Sequence, residues 1–257
     1  MIMEYSIIGT GNMAWFMAER LHAAGWHCTG IYGRNRSAAT ELAAICAAAV
    51  YTDLSRIPDR DHHICILAVS DNAIAEIAAQ LHFSYNLLIH TSGTSAIELL
   101  QDAAAQAAVL WPVSPVMRGA YTGQIPFLWE ATDAESAVTI RSLAAILGGD
   151  PVVEANGTQR RYLHLSAVFT NNFVNHMVAV GEALCAEQSL SFDLLRPLLR
   201  NTYERILKQP AKILQTGPAR RGDGATMSAH EELLLGHQEW LKMYQAVSAS
   251  ITDMYRQ

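Results

Sequence analysis

Short apolar runs alternate with stretches of helical period through roughly the first 155 residues, and then the runs stop. Residues 5–8 form a brief apolar run that breaks at Gly9-Thr10-Gly11; apolar positions then recur at helical spacing through Trp15, Phe16, Met17, Ala18 and Leu21. The alternation continues as strand 27–32, alanine-rich helix 37–48, strand 49–52, strand 63–69, helix 73–81, strands 86–90, 108–111 and 125–129, helix 133–147 and strand 151–154. The run His63-Ile64-Cys65-Ile66-Leu67-Ala68-Val69 is continuously apolar, as strands buried on both faces of a parallel sheet are. Helices are expected at 158–187 and 191–208. A last one is expected from Ser228, which has capping-box spacing to Glu231, to about residue 255. Residues 216–224 carry too much glycine for a helix. The pattern predicts the α/β class: a doubly wound parallel sheet over residues 1–156 and an all-helical domain over 157–257.

The turn Gly9-Thr10-Gly11-Asn12-Met13-Ala14 adds chemistry to this frame. Gly9 permits a tight turn, Gly11 lets backbone approach a pyrophosphate, and Ala14 is small enough for the helix to pack on the strand. Free N–H groups at the helix start would hold phosphates. Glycine pairs also end strands for purely conformational reasons. The strand before and helix after favour a Rossmann-type nucleotide turn. The second strand ends in Gly33-Arg34-Asn35-Arg36-Ser37. An acidic residue here would take a ribose 2′-hydroxyl, whereas an arginine accommodates a 2′-phosphate. Arg34 occupies the place with no carboxylate near, so NADP(H) is the expected cofactor, with Arg34, Asn35, Arg36 and Ser37 around its phosphate. The alternative is a solvated helix start, although basic residues there oppose the macrodipole. Val69, Ser70, Asn72, Thr91 and Ser92, at later strand ends, are expected in the same crevice.

Composition narrows the function classes. The chain is 51% hydrophobic and 16% charged with a formal charge of −6, as a globular protein is. No apolar run reaches the roughly 18 residues a bilayer span needs, and the N-terminus lacks signal-peptide features, so a cytoplasmic location and no membrane partner are expected. Residues 1–150 hold 7 Lys+Arg against 14 Asp+Glu, a poor nucleic-acid surface. All seven are arginines. Cys28, Cys46, Cys65 and Cys185 form no CxxC pair, and His230 and His237 share a face without a third ligand, so no metal is expected. Without an export signal, Arg221-Gly222-Asp223 is not read as an adhesion triplet.

On a uniform helix over 158–187, His164, Asn171, Asn175 and Glu182 fall within about 20° of one line. Phe169, Phe173, Met177, Val180 and Leu184 lie opposite. Such a stripe either pairs with polar groups of another helix or faces a cleft. In the cleft reading His164 supplies or accepts the proton that accompanies hydride transfer to a C=O or C=N bond.

Over almost its whole length the chain resembles Rossmann-like proteins with a DUF2520 C-terminal domain, relatives of pyrroline-5-carboxylate reductase, the 6-phosphogluconate dehydrogenase superfamily and NADP-dependent F420 oxidoreductases. The resemblance rests on the glycine turn, on 33–37, on Ile66-Leu67-Ala68-Val69-Ser70-Asp71-Asn72-Ala73-Ile74 and on His90-Thr91-Ser92-Gly93. More specific are Tyr162-Leu163-His164-Leu165-Ser166-Ala167-Val168-Phe169-Thr170-Asn171-Asn172 and Thr216-Gly217-Pro218-Ala219-Arg220-Arg221-Gly222-Asp223. The resemblance implies a homodimer through the C-terminal helices and an active cleft between domains. Two departures stand out. The long helix has no lysine at its start, where the related β-hydroxyacid dehydrogenases carry a catalytic one, and Trp111 replaces the histidine of a His-Pro pair. The expected activity is an NADP(H)-dependent oxidoreductase acting on a small molecule, with His164 as proton donor and Asn171 or Asn172 orienting the carbonyl or imine. The rivals are a catalytically silent NADP(H)-binding or sensing dimer and a structural dimer whose glycine turn binds nothing.

Overall fold

The computed structural model describes residues 3–116, 118 and 123–256. The chain divides into two compact units, Met1–Thr170 and Asn171–Gln257.

The first unit is built on one eight-stranded sheet in the order β3-β2-β1-β4-β5-β6-β7-β8. Its strands are β1 Glu4–Ile8, β2 His27–Tyr32, β3 Ala49–Tyr51, β4 His63–Leu67, β5 Phe83–His90, β6 Ala104–Pro112, β7 Ile125–Ala131 and β8 Gly149–Glu154. Helices α1 (Asn12–Ala23), α2 (Arg36–Ile45), α3 (Asp71–Ala78) and α4 (Ala134–Ile146) connect strands, and α5 (Gly157–Ala167) follows the last. On one face Tyr5, Ile7, Ile66, Ile89, Leu110 and Phe127 pack in a core with α1, α2 and α4. On the other Ile8, Leu67, Leu88 and Val109 pack with α3. Covered on both faces, the strands need no polar alternation, which is why 63–69 reads as one apolar run.

Two expectations change. The sheet is not wholly parallel, because β7 pairs antiparallel to β6, with Trp111 opposite Leu128. The last strand also starts two residues before the expected 151, at Gly149. Gly148, at φ +81°, makes the turn, while Gly149 starts β8, where a Cβ would lie 2.7 Å from the Ala144 carbonyl oxygen.

The long helix is not uniform. Between α5 and α6 (Phe173–Glu187) lies a π-turn, Val168–Asn172. The expected line through His164, Asn171, Asn175 and Glu182 assumes one uniform helical period, which the π-turn interrupts.

In the second unit α6 is followed by α7 (Arg196–Ile206), α8 (Ala211–Leu214), α9 (Pro218–Arg221), α10 (Gly224–Leu233) and α11 (Gln238–Tyr255). The glycine-rich stretch thus includes one helical turn, α9. The expected capping box at Ser228 is absent: Ser228 lies inside α10, whose N-cap Asp223 accepts from the Thr226 N–H at 3.1 Å, and the last helix starts only at Gln238. Helices α6, α10 and α11 border an apolar cavity of about 330 Å³, with the His230 Nδ1 to Tyr244 hydroxyl hydrogen bond (3.0 Å) at its wall.

Candidate active site

The β1–α1 turn forms one wall of a cavity of about 610 Å³ at the carboxyl ends of β1, β2 and β4. Gly9 has φ +129°, and a Cβ there would sit 2.0 Å from the Ala68 carbonyl oxygen, so the first turn glycine is held against the end of β4. The Gly9 N–H donates to the Tyr32 carbonyl at 2.8 Å, joining the turn to the end of β2. At Gly11 a Cβ would meet nothing within 4 Å. Gly11 is also the N-cap of α1 and makes no side-chain cap, so the first N–H groups of the helix have no capping acceptor. That is the arrangement an anion needs at a helix start.

Of the residues expected at the nucleotide, Gly9, Thr10, Gly11, Asn12, Met13, Arg34, Asn35, Val69 and Ser70 line this one cavity. Arg36, Ser37, Asn72, Thr91 and Ser92 do not. Arg36 and Ser37 are exposed in the first turn of α2, and Asn72 is exposed in that of α3. Asn35 caps α2, accepting from the Ala38 N–H at 3.1 Å. Ser92 is buried and works as a turn builder: its hydroxyl accepts from the N–H groups of Thr94 (3.1 Å) and Ser95 (2.9 Å). The lining includes no carboxylate. The lining also includes Ile8, Tyr32, Gly33, Ala68, Ala73 and Ile77, which were not among the expected site residues, although Gly33 belongs to the loop that was expected to read the phosphate. A Cβ at Gly33 would press 2.5 Å from Thr10 Cγ2, so a second glycine-dependent contact closes the cavity.

Farther along the same sheet edge a polar network follows β5. Thr94 donates to Asp71 at 2.5 Å, tying the β5 end to the start of α3. Arg160, wholly buried in the first turns of α5, bonds the Glu130 carboxylate, the Ala155 carbonyl (3.1 Å) and the Ser95 carbonyl (3.0 Å). No spacing rule in the sequence points to it, because its partners come from three separate segments. His90, buried at the end of β5, has its pKa pushed down to about 4, by burial first and then by the Arg160 charge. One turn beyond Arg160, half-buried His164 meets the Trp111 ring, with centroids 5.7 Å apart and planes tilted 44°. Asn171 and Asn172 lie exposed in the π-turn. Among the described residues no group of three His, Cys, Asp or Glu could hold a metal ion, and no helix is long and apolar enough to cross a membrane.

Residues 125–251 match the family described as domain of unknown function DUF2520. The chain is similar to a provisionally assigned NADP oxidoreductase of Bacteroides fragilis, at 29% identity and TM-score 0.87, over 98% of each chain. It shares the fold of a 1-pyrroline-5-carboxylate reductase of Streptococcus pyogenes, at 11% identity and TM-score 0.61, over 98% of this chain and 99% of that one. It also shares the fold of a reductive aminase from Aspergillus terreus, at 16% identity and TM-score 0.66, over 100% and 94%. No curated protein matches the chain.

Proposed function

We propose that this Rossmann-type chain with its DUF2520 domain is an NADP(H)-dependent oxidoreductase, transferring hydride to or from a small C=O or C=N substrate as a cytoplasmic homodimer. The observation that carries the reading is the cavity at the β1 turn, which has an open glycine, an uncapped helix start, Arg34, and no carboxylate. Those residues fit a phosphorylated dinucleotide: α1 N–H groups for the pyrophosphate and the Arg34 guanidinium for a 2′-phosphate. The likeness to the Bacteroides fragilis protein supports the same cofactor. When bound, the nicotinamide supplies or accepts the hydride. Asn35 contributes by fixing the start of α2, and Arg36 and Ser37 serve as the outer, solvent-side part of the phosphate loop. His164 holds or delivers the proton at one imidazole nitrogen, and Asn171 or Asn172 orients the carbonyl or imine. The helical unit serves the substrate side and pairs the two copies.

The reading is tested by NADPH oxidation, followed at 340 nm, against a panel of cyclic imines, keto acids and the deazaflavin F420. Transfer to any of them, lost in His164→Ala by about 10² or more, is the expected result. Tight NADPH binding with no transfer to any of them would establish the silent dimer instead.

A further inference from the structure

Trp111, near the end of β6, is buried. A Cβ at Gly93 would come within 2.6 to 2.9 Å of three indole atoms, so the ring lies directly on the backbone of the turn after β5. Leu128 and Ala155 pack beside it, and His164 covers it from α5. Neither the indole N–H nor either imidazole nitrogen of His164 has a hydrogen-bond partner among the described residues. A histidine that moves protons is ordinarily oriented by a hydrogen bond to its second nitrogen. Here the described contact that fixes the imidazole is an aromatic one, at a separation within the range for tilted ring pairs.

We propose that Trp111 is the positioning residue for His164, setting the imidazole plane by ring contact from a seat on Gly93. The proposal rests on the oxidoreductase reading for its purpose and on the Trp111–Gly93–His164 stack for its geometry. Adjacent strands are about 4.8 Å apart, so Trp111, two strands from β4, stands roughly 10 Å along the carboxyl edge from the nucleotide cavity.

Two variants separate positioning from packing: Trp111→Phe keeps an aromatic face on Gly93, whereas Trp111→Leu keeps only apolar filling. In the whole protein carrying ¹³C-labelled histidine, the His164 signal is identified by its disappearance in His164→Gln. It should be ring-current shifted in the wild type, partly so in W111F, and returned to the free-imidazole position in W111L. With NADPH and 2-methyl-1-pyrroline as the probe, W111L should lose about tenfold in kcat with KM little changed, while W111F stays within about threefold. Because removing the indole by itself removes its ring current, the deciding property of the His164 signal is the order of the imidazole by ¹³C relaxation: it should fall in W111L but not in W111F, and equal order in the three proteins would mean that Trp111 is packing only and that the proposal fails. If the probe is not reduced, the His164 signal alone decides. Absence of NADPH binding would overturn the oxidoreductase reading separately, since the ring contact is read without cofactor.

Discussion

A Cβ at Gly9 would strike the Ala68 carbonyl and would also have to adopt φ +129°, whereas one at Gly11 would project into open space. Gly9→Ala should therefore cost upwards of about 3 kcal/mol of stability, seen as a large drop in Tm. Gly11→Ala should leave Tm nearly unchanged and weaken NADPH binding alone; equal Tm losses would contradict the assignment. The place of both glycines between strand and helix was legible in the spacing of the motif, because such a turn is local. Trp111, Arg160 and His90 were not, because their partners are distant in the chain and nothing in spacing brings them together. His63 is a further case. Buried at the start of β4, it shares hydrogen bonds with Ser6 (2.9 Å) and Thr29 (3.1 Å), and burial pushes its pKa down to about 4. His90 is held equally low. Unfolded histidines take protons near pH 6.5, so between about 6.5 and 4 the unfolded chain binds protons that the folded one refuses, and stability falls as pH drops. Two such groups give a slope approaching about 2.7 kcal/mol per pH unit. Urea unfolding at pH 7, 6, 5 and 4.5 should show it, and His90→Gln should reduce it by half; a flat profile would mean that these histidines titrate normally.

Caps set where the helices start. The capping box that operates is at α5, where Gln159 N–H donates to Asn156 at 3.0 Å and Asn156 N–H donates to Gln159 at 2.9 Å. The pair that looked equivalent, Ser228 and Glu231, is overridden because Asp223 caps the chain five residues earlier. Asn156→Ala should accordingly cost about 1 kcal/mol, while Ser228→Ala should stay within about 0.5 kcal/mol in chemical unfolding. The reverse order would contradict these caps. The π-turn was hidden for a different reason: sequence periodicity carries no mark of one extra residue in a continuous helix.

Across the whole molecule the sheet is legible and its direction is not. Apolar runs place all the strands of the core, but a doubly buried strand reads the same in either direction, so nothing in residues 125–131 marks β7 as antiparallel. The helical unit raises the question of what covers its apolar faces. Among its described residues only Ala219 and Leu234 are buried apolar ones, while Leu194 (71% exposed), Leu207 (84%) and Leu233 (78%) stand open. The proposed homodimer would cover such faces. It predicts a sedimentation mass twice the 28.1 kDa of one chain and a Tm that rises with protein concentration. A monomer with a concentration-independent Tm would remove it. The phosphate-reading dinucleotide site, on which the proposed activity depends, is tested most directly by calorimetric titration of wild type and Arg34→Ala with NADPH and NADH in parallel. NADPH should bind at least about tenfold more tightly than NADH, and Arg34→Ala should abolish the difference by weakening NADPH alone. Equal affinities in the wild type, or no heat from either nucleotide, would contradict such a site.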